Sequence, residues 1–276
     1  MEKGPLLIYD DYCPLCSWYS GLFIKFRFLS PGARVAFSGA STELLSSIDT
    51  VRAHDEIPFH DPASGKTWYG IDALLEIISR KCGIIKKLGH FPPVYFLLKK
   101  FYKLISYNRK VIVAKKCGEG VYDCSPAFHP GYRLSFMILF LLFNSLMLYP
   151  IHRFIFSSLS FYTLTFAQLQ SAHFMLVCIN CMLGVSMGKK KAIEYLGQIN
   201  LVALQAVLLV LLSWVILQWI PLLSWMFLPL YFLLLIIWLT KEYFRRMRFA
   251  SIFISHSYAV YVNILSIALF ILYLVY

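Results

Sequence analysis

The sequence predicts an α/β domain followed by an all-α transmembrane helical bundle, and three observations carry that reading. Up to about residue 130, charged, polar and apolar residues mix, whereas from Leu134 onward long apolar runs dominate and hydrophobic residues reach 59% of the 276. In the first part, short apolar runs bounded by turn residues alternate with segments of helical periodicity. In the second, several segments approach the roughly 20 apolar residues that a helix needs to cross the hydrocarbon core of a bilayer. The expected domains are 1–130 and 131–276.

Pro5-Leu6-Leu7-Ile8-Tyr9 is the first expected strand, and Asp10-Asp11-Tyr12-Cys13-Pro14-Leu15-Cys16 leads from it into a helix over about 14–28. Pro31-Gly32 ends that helix and Arg34-Val35-Ala36-Phe37 forms the second strand, so the domain opens as strand, helix, strand. Residues 56–60 and 66–69 flank Asp61-Pro62-Ala63-Ser64-Gly65, whose composition is that of a turn, and are expected to pair as a hairpin. A helix then starts near Asp72, whose carboxylate is placed to cap the free N–H groups, and ends at Gly83. Between Pro93 and Lys116, Val94, Leu97, Leu98, Phe101, Leu104 and Ile105 share one helical face, with Lys99, Lys100 and Lys103 on the other side. The apolar face is expected to pack on the domain's own core, leaving the lysines to anionic headgroups.

Five segments qualify as spans, at about 134–151, 168–187, 199–220, 222–240 and 250–275. The second is the most polar, with Gln168, Gln170, His173 and Asn180. Basic residues alternate between the short loops. Lys189, Lys190 and Lys191 follow the second span and Lys241, Arg245, Arg246 and Arg248 the fourth, against Arg153 after the first and none after the third. The positive-inside rule then puts the first domain in the cytosol and Tyr276 outside. The opening Met1-Glu2-Lys3-Gly4-Pro5, which lacks a basic region followed by a long apolar core, agrees with that expectation. No acidic residue falls inside a predicted span, which argues against a proton-coupled pump. The net charge of +12 arrives without a nucleic-acid recognition motif, so a lipid bilayer and not nucleic acid is the expected partner; oligomeric state is not readable.

Cys13 and Cys16 are the residues on which chemistry is expected. A helix starting at or just after Cys13 aims backbone N–H groups and the positive end of its dipole at that sulfur, which favours thiolate. Pro14 suits the first turn, where its missing N–H has no partner to lose. Cys16 lies within reach of the same sulfur, so a mixed disulfide formed on Cys13 can be resolved within one helical turn.

Strand, dithiol helix, strand, hairpin, helix is the order of the thioredoxin and glutaredoxin architecture. More specifically, Asp10-x-x-Cys13-x-x-Cys16 after a short strand, with Tyr69-Gly70-Ile71-Asp72-Ala73 opening a later helix, resembles the DCC family of thioredoxin-like thiol-disulfide oxidoreductases over about the first 130 residues. Family members commonly carry Tyr-Asp-Gly-x-Cys-x-x-Cys; here Asp11 replaces the glycine, and a second carboxylate near the thiol is expected to disfavour thiolate. The resemblance implies Cys13 as attacking and Cys16 as resolving thiol, with Asp10, Tyr12 and Pro14 in support. It implies a protein or small-molecule thiol or disulfide as substrate, and no metal or organic cofactor. Pro58 is either the cis-proline that such folds set opposite the dithiol or a trans proline on an edge strand. Gly70-Ile71-Asp72 is similar to the glutathione-gripping helix start of glutaredoxins, although Asp72 as a plain helix cap satisfies the same pattern. In a reducing cytosol, reduction or isomerisation is expected over net oxidation.

Other readings stay open. Cys13 and Cys16 would supply half of a zinc site if Cys117, Cys124, His60 or His129 completed it, or they are two inert buried thiols. Cys117 and Cys124 are either a second dithiol or unpaired thiols. Cys178 and Cys181, three residues apart on the second span, are either a membrane dithiol that relays electrons or part of a helix contact. The competing function is a membrane scaffold or transport protein whose first domain only binds a partner.

Overall fold

The computed structural model describes residues 4–115, 126–158, 163–219 and 224–275. The chain divides into two compact units, Met1–Arg133 and Leu134–Tyr276. In the first, β1 (Leu6–Tyr9), α1 (Pro14–Lys25), β2 (Arg34–Ala36), α2 (Thr42–Ser46), α3 (Thr50–Asp55), β3 (Pro58–Asp61), β4 (Lys66–Tyr69), α4 (Ile71–Ser79), α5 (Gly83–Gly89) and α6 (Pro92–Val113) follow one another. The strands form a mixed sheet in the order β2-β1-β3-β4. β1 and β2 run parallel with Ile8 opposite Val35, while β3 is antiparallel to both β1 and β4, so the expected hairpin is present. This small mixed sheet with flanking helices is a thioredoxin-like architecture.

Alternation along β1 builds the core on two sides. Leu7 packs with Leu29, Ile57, Phe59, Ala73 and Ile77, and its neighbour Ile8 packs with Phe37, Leu45, Ile48 and Ala53, as the two-residue period of a strand requires. The short helices α2 and α3 were not legible as elements. Each is held by an N-cap, Ser41 accepting from the Leu44 N–H and Asp49 from the Arg52 N–H, and not by a long periodic stripe.

Expectations for Pro58, for the two ends of α4 and for α6 are corrected here. The Ile57–Pro58 bond is trans, and β3 is an inner strand, so Pro58 is neither a cis-proline nor an edge proline. As the first residue of its strand it sits where a missing N–H is tolerated. Asp72 does not cap α4: the N-cap is Gly70, with no side-chain cap, and the Asp72 carboxylate accepts a hydrogen bond from the Tyr95 hydroxyl at 3.2 Å. The helix also stops at Ser79, and Gly83 opens α5 instead of ending α4.

The third correction concerns α6, which packs on α1, α4 and α5 but buries a polar row. The Tyr102 hydroxyl accepts from the Ile57 N–H at 2.9 Å, Ser106 Oγ donates to the Asp55 carbonyl, and Arg109 Nη2 donates to the His54 carbonyl at 2.6 Å. Those backbone groups are left over where α3 ends and β3 begins, and pairing them outweighs the burial of apolar side chains. Leu97, Phe101 and Ile105, expected in the core, are exposed.

Gly70 adopts φ 61° and ψ −126°, a conformation that essentially only glycine reaches, and a Cβ there would lie 3.0 Å from the Tyr102 ring. Gly70→Ala is therefore expected to destabilise the first unit by about 1–3 kcal/mol, read as a lowered midpoint for its denaturant unfolding.

The second unit consists of helices. Among the described residues, four are long and apolar enough to cross a membrane: Pro130–Phe156, Phe166–Val185, Lys189–Ile216 and Ser257–Leu274. They fall in α7 (Pro130–Ser158), α8 (Phe166–Val185), α9 (Lys189–Trp219) and, after α10 (Ser224–Phe249) and the short α11 (Ile252–Ser255), in α12 (Ser257–Val275). The fourth expected span, 222–240, begins outside the described residues and continues in α10. The polar residues scattered along the spans meet in pairs. Asn180 Oδ1 accepts from the Tyr195 hydroxyl and from Asn263, and Asn144 donates to Asn200 Oδ1 at 3.1 Å, the contacts by which apolar helices fix their register. Arg246, read as a solvated loop charge, is 1% exposed and is held by Glu242 and Gln198 at 2.7 and 2.8 Å.

Candidate active site

β1 ends by handing its chain to a turn closed by its own side chain. Asp10 Oδ1 accepts the N–H groups of Tyr12 at 3.0 Å and Cys13 at 3.1 Å, an Asx-type turn that sets the direction of entry into α1. Cys13 is the N-cap and Pro14 the first helical residue, and the Cys16 N–H points at Cys13 Sγ from 3.4 Å. The expected helix start is thus present at the expected residue. Cys13 and Cys16 are both buried, with 8% and 4% of their surface exposed, and both are free thiols. A carboxylate oxygen of Asp10 and the two sulfurs all lie within 4.8 Å of one another.

The charged wall of this site is Arg109, from the buried row of α6, with Nη1 4.0 Å from Cys16 Sγ. Sequence reasoning missed it because it lies 93 residues away on a helix read by its apolar stripe. Its only sequence signal is its position in line with Tyr102 and Ser106, opposite that stripe. Pro58 meets the site as well, lining a small cleft with Asp10, Cys16, Tyr19, Phe37 and Arg109. Asp72, bonded to Tyr95, is outside this constellation.

The electrostatics separate the two thiols. The Cys16 S–H bonded to Cys13, the Cys16 backbone N–H and the Arg109 charge bring Cys13 from an ordinary 9.0 down to about 7, against burial and the Asp10 charge. The hydrogen bond to Cys13 and burial push Cys16 the other way, so it keeps its proton. Burial raises Asp10, with Arg109 and the two backbone N–H groups opposing, and its Oδ2 is buried with no hydrogen-bond partner among the described residues. Asp11, expected to disfavour the thiolate, instead accepts from the Ser38 N–H and hydroxyl at 3.3 and 2.8 Å. The carboxylate acting against Cys13 is that of Asp10.

These values fix the pH response. A depressed thiol pKa means that folded protein releases this proton earlier than unfolded protein. The stability the thiolate contributes is present above about 9.0 and is lost as pH falls through about 7. Alkylation of Cys13 in the reduced protein is expected to rise with pH to a midpoint near 7, measured by mass spectrometry of the Cys13 peptide. A midpoint near 9.0, the ordinary value, would mean the helix start and Arg109 do not act on it.

Asp10, Cys13 and Cys16 offer three donors for a metal ion, but the Arg109 guanidinium beside Cys16 opposes a second cation. His60 is bonded to Thr67 and Ser47, His129 packs edge-on against Tyr107, and among the described residues neither joins the three donors. Cys117 and Cys124 lie outside the described residues. In the second unit Cys178 is half-buried and Cys181 exposed, both as free thiols, while Asn180 between them makes the inward contact.

Residues 7–115 match the model of the DCC1-like thiol-disulfide oxidoreductase family. No curated protein and no solved structure matches the chain.

Proposed function

From the match of residues 7–115 to the DCC1-like thiol-disulfide oxidoreductase family, we propose that the protein is a membrane-anchored oxidoreductase whose Cys13–Cys16 pair reduces or exchanges the disulfide of a partner on the cytosolic side. The observation that carries this reading is the split between the two thiols, one held as thiolate near neutral pH and the other kept protonated beside it.

The Cys13 thiolate attacks one sulfur of a substrate disulfide, forming a mixed disulfide and expelling the other substrate sulfur as thiolate. Once Cys13 is no longer an anion, the largest of the causes that hold Cys16 protonated disappears, while burial remains. Cys16 gives its proton to the unpaired oxygen of Asp10, a buried carboxylate whose raised pKa suits it as acceptor, and Arg109 stabilises the sulfur anion. Cys16 then attacks Cys13 Sγ, the second substrate thiolate leaves, and two electrons have passed from the dithiol to the substrate. A cellular thiol reductant returns the pair to its reduced form. Pro58 beside the dithiol contributes to the wall that a substrate chain meets.

In this proposal residues 1–130 are the redox module and 131–276 its anchor, with the C-terminus outside. The four membrane-capable helices support the anchor, and the alternating loop charges, counted with residues 222–240 as a further span, support the orientation. In intact cells a membrane-permeant maleimide is expected to label Cys13 and an impermeant one to leave it untouched; labelling by both would reverse the orientation. Full-length protein in detergent is expected to reduce a model protein disulfide at the expense of glutathione. Binding of that disulfide without turnover would favour the scaffold reading instead.

A further inference from the structure

The outer face of α5 and α6 carries large apolar side chains that no part of the first unit covers. Ile84 is 76% exposed, Leu88 61%, Phe96 63%, Leu97 61% and Phe101 54%. α6 turns its polar row inward to serve α3 and the dithiol, so this stripe is a fixed product of the fold.

The charge along this stretch of chain has one sign. Residues 77–118 hold eleven of the chain's 26 Lys and Arg and none of its 14 Asp and Glu, enough to account for nearly the whole net charge of +12. Lys86, Lys87, Lys99 and Lys100 are exposed, and among the described residues Lys87, Lys99 and Lys100 make no ion pair. Exposed aromatic and aliphatic side chains flanked by lysines, of which Lys86 pairs with Glu76 at 3.1 Å, complement a surface that is apolar inside and anionic at its rim.

We propose that the α5–α6 face lies in the headgroup region of an anionic bilayer, with Leu97 and Phe101 among the acyl chains and the lysines at the phosphates. Chain connectivity makes this reachable. Residues 114–129 link α6 to α7, a tether on the order of 50 Å when fully extended, so α6 cannot leave the neighbourhood of a membrane that α7 enters. The same helix holds Arg109 against the dithiol on its inner side, so lipid contact on the outer side restrains the helix that tunes Cys13.

The test places the photocrosslinker p-benzoylphenylalanine at Phe96 or Phe101 in the full chain, reconstituted into phosphatidylcholine vesicles with or without phosphatidylglycerol. Lipid adducts are expected at both positions. Their yield should fall several-fold when Lys86, Lys87, Lys99 and Lys100 are replaced by glutamine, in the anionic vesicles only. Adducts with residues 134–275 of the same chain, adducts with a second copy, or none with lipid would each overturn the proposal. The thiol chemistry of Cys13 is unaffected by any of these outcomes, so the two readings fail separately.

Discussion

Cys16→Ser protein mixed with a disulfide substrate is expected to accumulate as a covalent adduct through Cys13, while Cys13→Ser forms none and loses turnover altogether. Cys13 is the sulfur that receives the helix N–H and the Cys16 S–H, and its pKa near 7 leaves about half of it as thiolate at neutral pH. Cys16 has no such support and is protonated until the first step is complete. In the Cys16→Ser variant the serine hydroxyl replaces the S–H donor, so attack persists, but nothing resolves the mixed disulfide. Non-reducing mass spectrometry of the adduct reads the outcome. An adduct through Cys16 in the Cys13→Ser variant would exchange the two roles.

Replacing Arg109 acts on the same chemistry from α6. Arg109→Met keeps an unbranched stem and removes the charge, so the Cys13 midpoint is expected to move above about 7 and alkylation at neutral pH to slow roughly tenfold. Asp10→Asn has the opposite sign, because it removes the anion that raises Cys13 while leaving an acceptor for the Tyr12 and Cys13 N–H groups. The Asp10→Asn variant should therefore show a lower alkylation midpoint yet slower resolution, since Cys16 loses its proton acceptor. Arg109→Met also leaves the His54 carbonyl without its donor, costing about 1–3 kcal/mol of stability. Arg109→Lys, which keeps charge but not the fork, is expected to fall between the two in midpoint. If the midpoint is unmoved in Arg109→Met, the guanidinium serves only the His54 carbonyl.

The parts of this site that were legible in the sequence are local. A proline and two cysteines three residues apart, after an apolar run, specify a strand, an N-cap and a first helical turn from neighbouring residues alone. The same holds for the β3–β4 hairpin, written in Asp61-Pro62-Ala63-Ser64-Gly65. What was not legible depends on partners distant in sequence. Arg109 reaches the dithiol because α6 must satisfy the backbone groups of residues 54–57, a need visible only once α3 and β3 are in place. Hydrophobic periodicity pointed α6 the wrong way round for the same reason. Arg246 is the counterpart in the second unit, a loop charge by count but an inward-facing partner of Glu242 and Gln198 by structure.

The central claim is that Cys13 and Cys16 exchange two electrons as one unit. Full-length protein equilibrated with graded ratios of reduced to oxidised glutathione, then alkylated and digested, gives the thiol content of each cysteine separately. Both thiols are expected to disappear together along a single two-electron curve, with a tenfold change in the equilibrium constant for about 30 mV, and a chelator should leave the curve unchanged. Thiols that persist at every ratio, or that oxidise only after a chelator strips a bound metal, would contradict it.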